Sequence, residues 1–234
     1  MDLQGLKLTW LGHATFRILT TGGQTLLIDP FIKDNPACPD KTLPKKKVDL
    51  LLITHGHADH LGDAVEIARK HSPKVVGIVE LCAWLEKKGV ENCLAMNLGG
   101  TQSVGDVRVT MVAARHSSGI QEDGQIIYAG EPCGFVLEFE NGLKIYHAGD
   151  TAAFGDMELI HELYHPDIAL LPIGDHFTMG PREAACAVKM LQPKTAIPMH
   201  YGTWPILPGT PEAFKHEVAD LGTEVVVMKP GQTI

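Results

Sequence analysis

Four side chains able to ligate a metal ion, His55, His57, Asp59 and His60, fall within the stretch Thr54 to His60, THGHADH. They follow an apolar run, Val48 to Ile53, that reads as a buried strand. His55 and His57 lie two residues apart, so in extended backbone both imidazoles point the same way and can share one metal. Asp59 and His60 come after Ala58, where the chain turns towards a helix, and can aim at a second position close by. Imidazole and carboxylate donors without thiolate suit zinc, and also manganese, iron or nickel. Three further candidates each follow an apolar strand and precede a loop: His116 after Val107 to Ala113, Asp150 after Leu143 to His147, and His200 after Thr195 to Met199. Singly, each reads as a structural histidine or a turn aspartate. As a set, five His and two Asp suffice for two divalent metal ions with positions left open for water and substrate.

The elements that must position these residues can be read from periodicity and turn signals. Leu6 to Leu11, Thr15 to Thr20 and Thr25 to Ile28 read as strands, with Gly22-Gly23 closing a hairpin between the second and third. Residues 33–47, rich in Pro and Lys, read as a surface loop. A helix is expected from Gly62 to Lys70, a strand at Lys74 to Val79 and a helix at Leu81 to Lys88. Residues 117–132, with three glycines and a proline, are expected to form one long loop, a length usually associated with function or mobility. Gly134 to Phe139 and Leu143 to His147 read as strands of a hairpin turned by Asn141-Gly142. Helices and strands then alternate: Met157 to Tyr164, Ile168 to Leu171, Pro181 to Leu191, Thr195 to Met199, Pro211 to Leu221 and Glu224 to Met228. Each half opens with hairpin strands and closes with alternating strands and helices. That order is consistent with two similar halves packed sheet to sheet with helices outside. No linker-like stretch divides them, so residues 1–234 are expected to form a single domain.

Composition removes several classes. The formal net charge of -8 argues against a nucleic-acid surface, which relies on clustered Lys and Arg. The one basic cluster, Lys45 to Lys47, reads as a solvated loop. No apolar run approaches the ~20 residues of a membrane span, and the N-terminus has neither a basic start nor a signal-type apolar block. A cytoplasmic location and a small-molecule substrate are therefore expected; a homo-oligomer is compatible with the sequence, which does not decide it. The five cysteines, without a C-x-x-C pair, suggest neither a disulfide framework nor a thiolate zinc site, and read as reduced, mostly buried thiols.

The chain resembles the metallo-β-lactamase superfamily. The H-x-H-x-D-H signature is matched by His55, His57, Asp59 and His60, and the later single ligands by His116, Asp150 and His200. Trp10 to Phe16 (WLGHATF), the AGDT around Asp150, Leu171 to Pro181 (LPIGDHFTMGP) and Met199 to Trp204 (MHYGTW) resemble a prokaryotic metal-dependent hydrolase branch, related to the ascorbate-6-phosphate lactonase and N-acylphosphatidylethanolamine phospholipase D groups. The resemblance implies an α/β fold of the αββα four-layer sandwich type, two mixed sheets face to face with helices outside and the site at the sheet edges. It assigns His55, His57 and His116 to one metal and Asp59, His60 and His200 to the other, with Asp150 bridging. A hydroxide shared between the metals is then the nucleophile, acting on a small phosphodiester, ester or lactone. True β-lactamases generally carry Cys where this chain has Asp150, which points away from antibiotic hydrolysis. The alternative is a non-catalytic metal or ligand sensor on the same fold.

Two more histidines sit at turns between strands or after one. His13, in Gly12-His13, and His176, in Gly174-Asp175-His176, are each candidates for a catalytic role as general acid, for substrate binding or for support of a ligand. Asp175 is a candidate to orient a ligand histidine or to cap its turn. His147, inside a strand, reads as packed, and His71, His161, His165 and His216 as helix-surface residues.

Overall fold

The structure, a computed structural model, describes residues 2–234. Two mixed sheets carry the fold. The first contains β1 (Lys7–Gly12), β2 (Thr15–Leu19), β3 (Thr25–Ile28), β4 (Leu50–Leu52), β5 (Lys74–Ile78) and β6 (Cys93–Met96), side by side in chain order. Its first three strands are antiparallel; β3 to β6 are parallel. Residues 231–234 pair along the outer side of β1, where Leu8 and Ile234 exchange two backbone hydrogen bonds of 2.9 Å. That pairing covers an edge otherwise open to intermolecular strand addition.

The second sheet contains β7 (Thr101–Val104), β8 (Val107–Ala113), β11 (Cys133–Phe139), β12 (Lys144–His147), β13 (Ile168–Pro172), β14 (Thr195–Met199) and β15 (Glu224–Val225). Its spatial order is β15-β14-β13-β12-β11-β8-β7. The strands from β12 to β15 are parallel, the rest antiparallel. Strand alternation sorts the residues into two layers. Phe135, Leu137, Ile145, Leu170 and Ile197 face the first sheet's Leu8, Phe16, Ile18 and Leu26. Their neighbours Val136, Tyr146, Ala169, Leu171 and Ala196 instead pack under α4 (Met157–Tyr164), α5 (Pro181–Leu191) and α6 (Pro211–Val218). The outer helices of the first sheet are α2 (Ala64–His71) and α3 (Val79–Lys87), seated by Ala64, Ile67, Leu81 and Leu85. The result is the αββα sandwich.

Three expectations need correction. The helix after the histidine cluster begins earlier, as α1 (Ala58–Leu61), so Asp59 and His60 are helical rather than in a connecting turn; Gly62, at φ 33°, breaks it before α2. The stretch 117–132 is not one loop but holds a two-stranded hairpin, β9 (Gly119–Glu122) and β10 (Gln125–Tyr128). Its glycines obscured the alternation: Ile120 and Ile127 are paired and face the core, while Gln121, Ile126 and Tyr128 face outward. Strands β6 and β7 were not expected, because Cys93 to Met96 and Thr101 to Val104 are too short to show a period. Among the described residues no helix is long and apolar enough to cross a membrane. All five cysteines are free, three of them buried.

Candidate metal centre

The ends of β3, β4, β12, β13 and β14, together with the β1–β2 turn and the segment after β8, deliver polar side chains to one edge of the sandwich. Such an edge, at the carboxyl ends of parallel strands, is the place where open α/β sheets bind ligands. Three groups of donor atoms, each mutually within 4.8 Å, form there: His55, His57 and His116; His55, His60 and Asp150; and His13, Asp59, His60 and His200. All seven residues of the sequence-derived ligand set are thus brought together, and His13 joins them. Asp150 Oδ2 is central, 3.1 Å from His200 Nε2, 3.2 Å from His60 Nε2 and 3.6 Å from His116 Nε2.

Close backbone packing makes the convergence possible. Gly56, between the first two histidines, lies against the base of the β9–β10 hairpin, where a Cβ would stand 2.6 Å from the Ala129 methyl. At Gly174 a Cβ would stand 2.0 Å from the carbonyl oxygen of His200, so only glycine lets β13 and β14 end side by side there.

Hydrogen bonds fix which ring nitrogens are bare. Asp29, fully buried at the end of β3, accepts from the Thr54 backbone N–H through Oδ1 (2.8 Å) and from the Thr54 hydroxyl through Oδ2 (2.7 Å). The same Oδ2 accepts from His60 Nδ1 at 2.7 Å. With its proton given to Asp29, the Thr54 hydroxyl accepts from His55 Nδ1 at 3.0 Å. In both His55 and His60, therefore, Nδ1 carries the proton of that bond and Nε2 is the nitrogen turned to the centre. His55 Nε2 faces His57 Nδ1 at 3.0 Å, and Ser117 Oγ lies 3.3 Å from His57 Nε2. On the other side, His13 Nε2 donates to Asp59 Oδ2 at 2.9 Å, which leaves His13 Nδ1 to accept the Thr203 hydroxyl at 2.8 Å.

Electron-rich atoms consequently confront one another in a buried site. His60 Nε2, Asp150 Oδ1 and both nitrogens of His200 have no hydrogen-bond partner, although His60 and His200 lie so near Asp150. Such an arrangement is repulsive unless cations or protons intervene. The titration behaviour follows from it. Burial lowers His60, but Asp150, Asp29 and Asp59 outweigh burial and hold its pKa well above the imidazole range. Against the same burial penalty, Asp150 and Asp59 push His200 up to about 9. Burial, which would raise the carboxylates, is overcome by His200 and His60 at Asp150 and by His60, His13 and His200 at Asp59, so both stay well below the carboxylate range. Burial, reinforced by neighbouring histidines, holds His55 well below its ordinary value, lowers His57 and His116, and brings His13 to about 4. The orphaned lone pairs and the imidazole–carboxylate chemistry fit divalent cations.

Of the other singled-out residues, His13 lies within the centre and the rest outside it. His13 is fully buried behind Asp59, and its ring lies 3.8 Å, centroid to centroid, from that of His200. His176 is exposed, belongs to none of the three donor groups, and rests its ring against Phe177. Asp175 serves its own turn: Oδ1 accepts from the His176 N–H at 2.7 Å. His147 is packed as expected, with Nε2 donating to the Ala14 carbonyl. Sequence reasoning missed Asp29, Thr54 and Thr203. Asp29 did carry a signal, since it ends an apolar strand like the ligands themselves; Thr54 and Thr203 lie inside THGHADH and MHYGTW, where nothing in the spacing set them apart.

Comparison with known proteins shows the family to which the chain belongs. Residues 24–201 match the family described as the Beta-lactamase superfamily domain. Over 235 aligned residues the chain is 61% identical to a UPF0173 metal-dependent hydrolase of Koribacter versatilis, covering 100% of this chain and 99% of that protein. It is 53% identical to a counterpart from Rubrobacter xylanophilus, with 99% and 97% covered. Among solved structures, Igni18, a metallo hydrolase from the archaeon Ignicoccus hospitalis, matches with a TM-score of 0.87 and 39% identity over 98% of this chain and 97% of that one. Fold and clustered donors together define a metal-dependent hydrolase of the metallo-β-lactamase fold. The chain belongs to the beta-lactamase superfamily and, within it, to the UPF0173 metal-dependent hydrolases.

Proposed function

We propose that the protein is a dinuclear hydrolase of small phosphodiesters, esters or lactones, a single catalytic domain over residues 1–234. His55, His57 and His116 would hold one cation, and Asp59, His60 and His200 the other, with Asp150 between them. The observation that carries this reading is the set of bare, buried nitrogens aimed at carboxylate oxygens from two sides of Asp150. Bound divalent cations, zinc before manganese, iron or nickel for this donor set, supply an ionised water near neutral pH and a Lewis acid for the substrate oxygen.

The chain's own residues do the rest. Asp29 and Thr54 lock His55 and His60 in the ligating tautomer, as carboxylates behind ligand histidines generally do. Thr203 and His13 hold Asp59 from behind, so His13 acts through Asp59 rather than on substrate. His55, His60, His200 and Asp150 close the centre on the protein side, whereas His57, His116 and Asp59 are partly exposed and mark the side from which substrate enters. His176, exposed on the loop after β13, is left for contact with substrate.

The test is elemental analysis of protein expressed with zinc or manganese, paired with hydrolysis of bis-p-nitrophenyl phosphate and simple lactones. About two metals per chain and turnover abolished by His57→Ala or Asp59→Ala are expected. Fewer than one metal per chain with no turnover would sink the reading. Two bound metals with no turnover would instead favour a binding role.

A further inference from the structure

A cavity of about 580 Å³, within the range that accommodates small-molecule ligands, opens beside His57 and His116. Its walls come from the segment 117–132. The hairpin β9–β10 is fastened at its base, where the Gly56 N–H donates to Ser118 Oγ at 3.2 Å and Gly56 packs against Ala129 and Ile120. It is fastened along its flank by Glu122, which accepts from Trp84 Nε1 and pairs with Lys88. Ile120 and Ile127 anchor its inner face in the core. Its other face carries Ile126 and Tyr128, 80% and 62% exposed, towards the cavity. Held in place on a fastened hairpin beside the metal centre, these two side chains offer an apolar wall to whatever ligand enters the cavity.

The charge of the cavity restricts that ligand further. None of its lining residues is Lys or Arg, and its one ionisable group besides the two histidines and Tyr128 is Glu131, which accepts from the Tyr128 hydroxyl at 2.9 Å. At the centre itself Asp59, Asp150 and Asp29 offset most of the charge that two divalent cations bring. A phosphodiester would enter with no basic side chain to meet it and with Glu131 opposing it.

Resting on the hydrolase reading above, we propose that the substrate is an uncharged ester or lactone bearing an apolar chain, which Ile126 and Tyr128 cover while Glu131 excludes anions. Water adds to the acyl carbon, the acyl C–O bond breaks, and the products are a carboxylate, a proton and an alcohol. Only the product acid is anionic, so Glu131 also favours its departure.

The experiment compares kcat/KM of the zinc- or manganese-loaded enzyme for p-nitrophenyl esters from acetate to octanoate, for γ-lactones of matching chain length, and for bis-p-nitrophenyl phosphate. Expected is a rise of about fourfold per added methylene until the cavity is filled, with the long neutral substrates preferred over the phosphodiester at least 100-fold. Ile126→Ser and Tyr128→Ala should each compress the octanoate-to-acetate ratio at least fivefold, and Leu159→Ser, on the outer surface of α4, should leave that ratio unaltered. Glu131→Lys should shift the preference towards the phosphodiester by about tenfold. Binding of a hexyl-substituted γ-lactam, measured by calorimetry, should weaken at least fivefold in Ile126→Ser. A flat chain-length response, or a phosphodiester preferred by the wild type, overturns the pocket assignment and leaves the hydrolase standing. Absence of turnover for every substrate overturns the hydrolase reading, and this inference with it.

Discussion

Replacing Asp29 by Asn tests whether the metal centre depends on a residue that touches no metal. Asp29 is fully buried and accepts three hydrogen bonds, from the Thr54 N–H, the Thr54 hydroxyl and His60 Nδ1, at 2.7–2.8 Å. Asparagine keeps the shape but turns one acceptor oxygen into a donor. If its oxygen stays on the Thr54 N–H, its NH2 meets the Thr54 hydroxyl and His60 Nδ1. His60 is then driven to the opposite tautomer, with the proton on Nε2, where it blocks ligation of Asp150's neighbour position. Thr54 loses the acceptor for its hydroxyl proton and competes with His55 Nδ1. Each broken charge-assisted bond is worth about 1.5–3 kcal/mol, and loss of a carboxylate behind a ligand histidine typically weakens metal binding by about 10–100-fold, or about 1.4–2.8 kcal/mol. The assay is chelator competition for zinc on EDTA-stripped protein, with circular dichroism to establish that Asp29→Asn is folded. Folded protein whose zinc affinity lies within twofold of the wild type would refute the tautomer argument.

His13→Asn, whose amide falls near the Nδ1 position and can still meet Thr203 but is too short to reach Asp59, should weaken the second metal about tenfold before the first, seen as loss of one equivalent on dilution. Metal binding at pH 7 should release about one to two protons, read by calorimetry in buffers of different ionisation enthalpy. His200, at about 9, and His60, held well above the imidazole range by Asp150, Asp29 and Asp59, carry protons at that pH and must give them up. Zinc affinity should accordingly rise with pH between 6 and 8 and level off above about 9; no proton release would contradict this. Gly174→Ala drives a Cβ to within 2.0 Å of the His200 carbonyl and should cost about 3 kcal/mol, the upper end of the usual cost of overpacking, in urea melts. Gly155→Ala, with nothing within 4 Å, is the control expected to change stability by under about 1 kcal/mol.

The seven candidate ligands could be picked out in the sequence because strand ends punctuate it: an apolar run stops, and a histidine or aspartate follows within a few residues. Local periodicity also placed α4, α5 and β14 at the residues where they are found. What it could not reach was anything decided by partners distant along the chain. Asp29 is defined by a bond to His60, 31 residues away, and Thr203 by a bond to His13, 190 residues away. The hairpin β9–β10 is short and glycine-rich, so its register is set by Ile120 and Ile127 docking on the core rather than by its own pattern.

By itself, then, the order of residue types determined the donor chemistry, the alternation of buried and facing positions along each strand, and the two-half architecture, because these depend on periods of two and 3.6 residues. The tertiary structure alone decided which nitrogen of His55 and of His60 is turned to the centre, which carboxylate stands between His60 and His200, and which wall of the cavity is apolar. Those depend on hydrogen bonds and close approaches between strand ends that only the packing of one sheet on the other brings within 3 Å or so of each other.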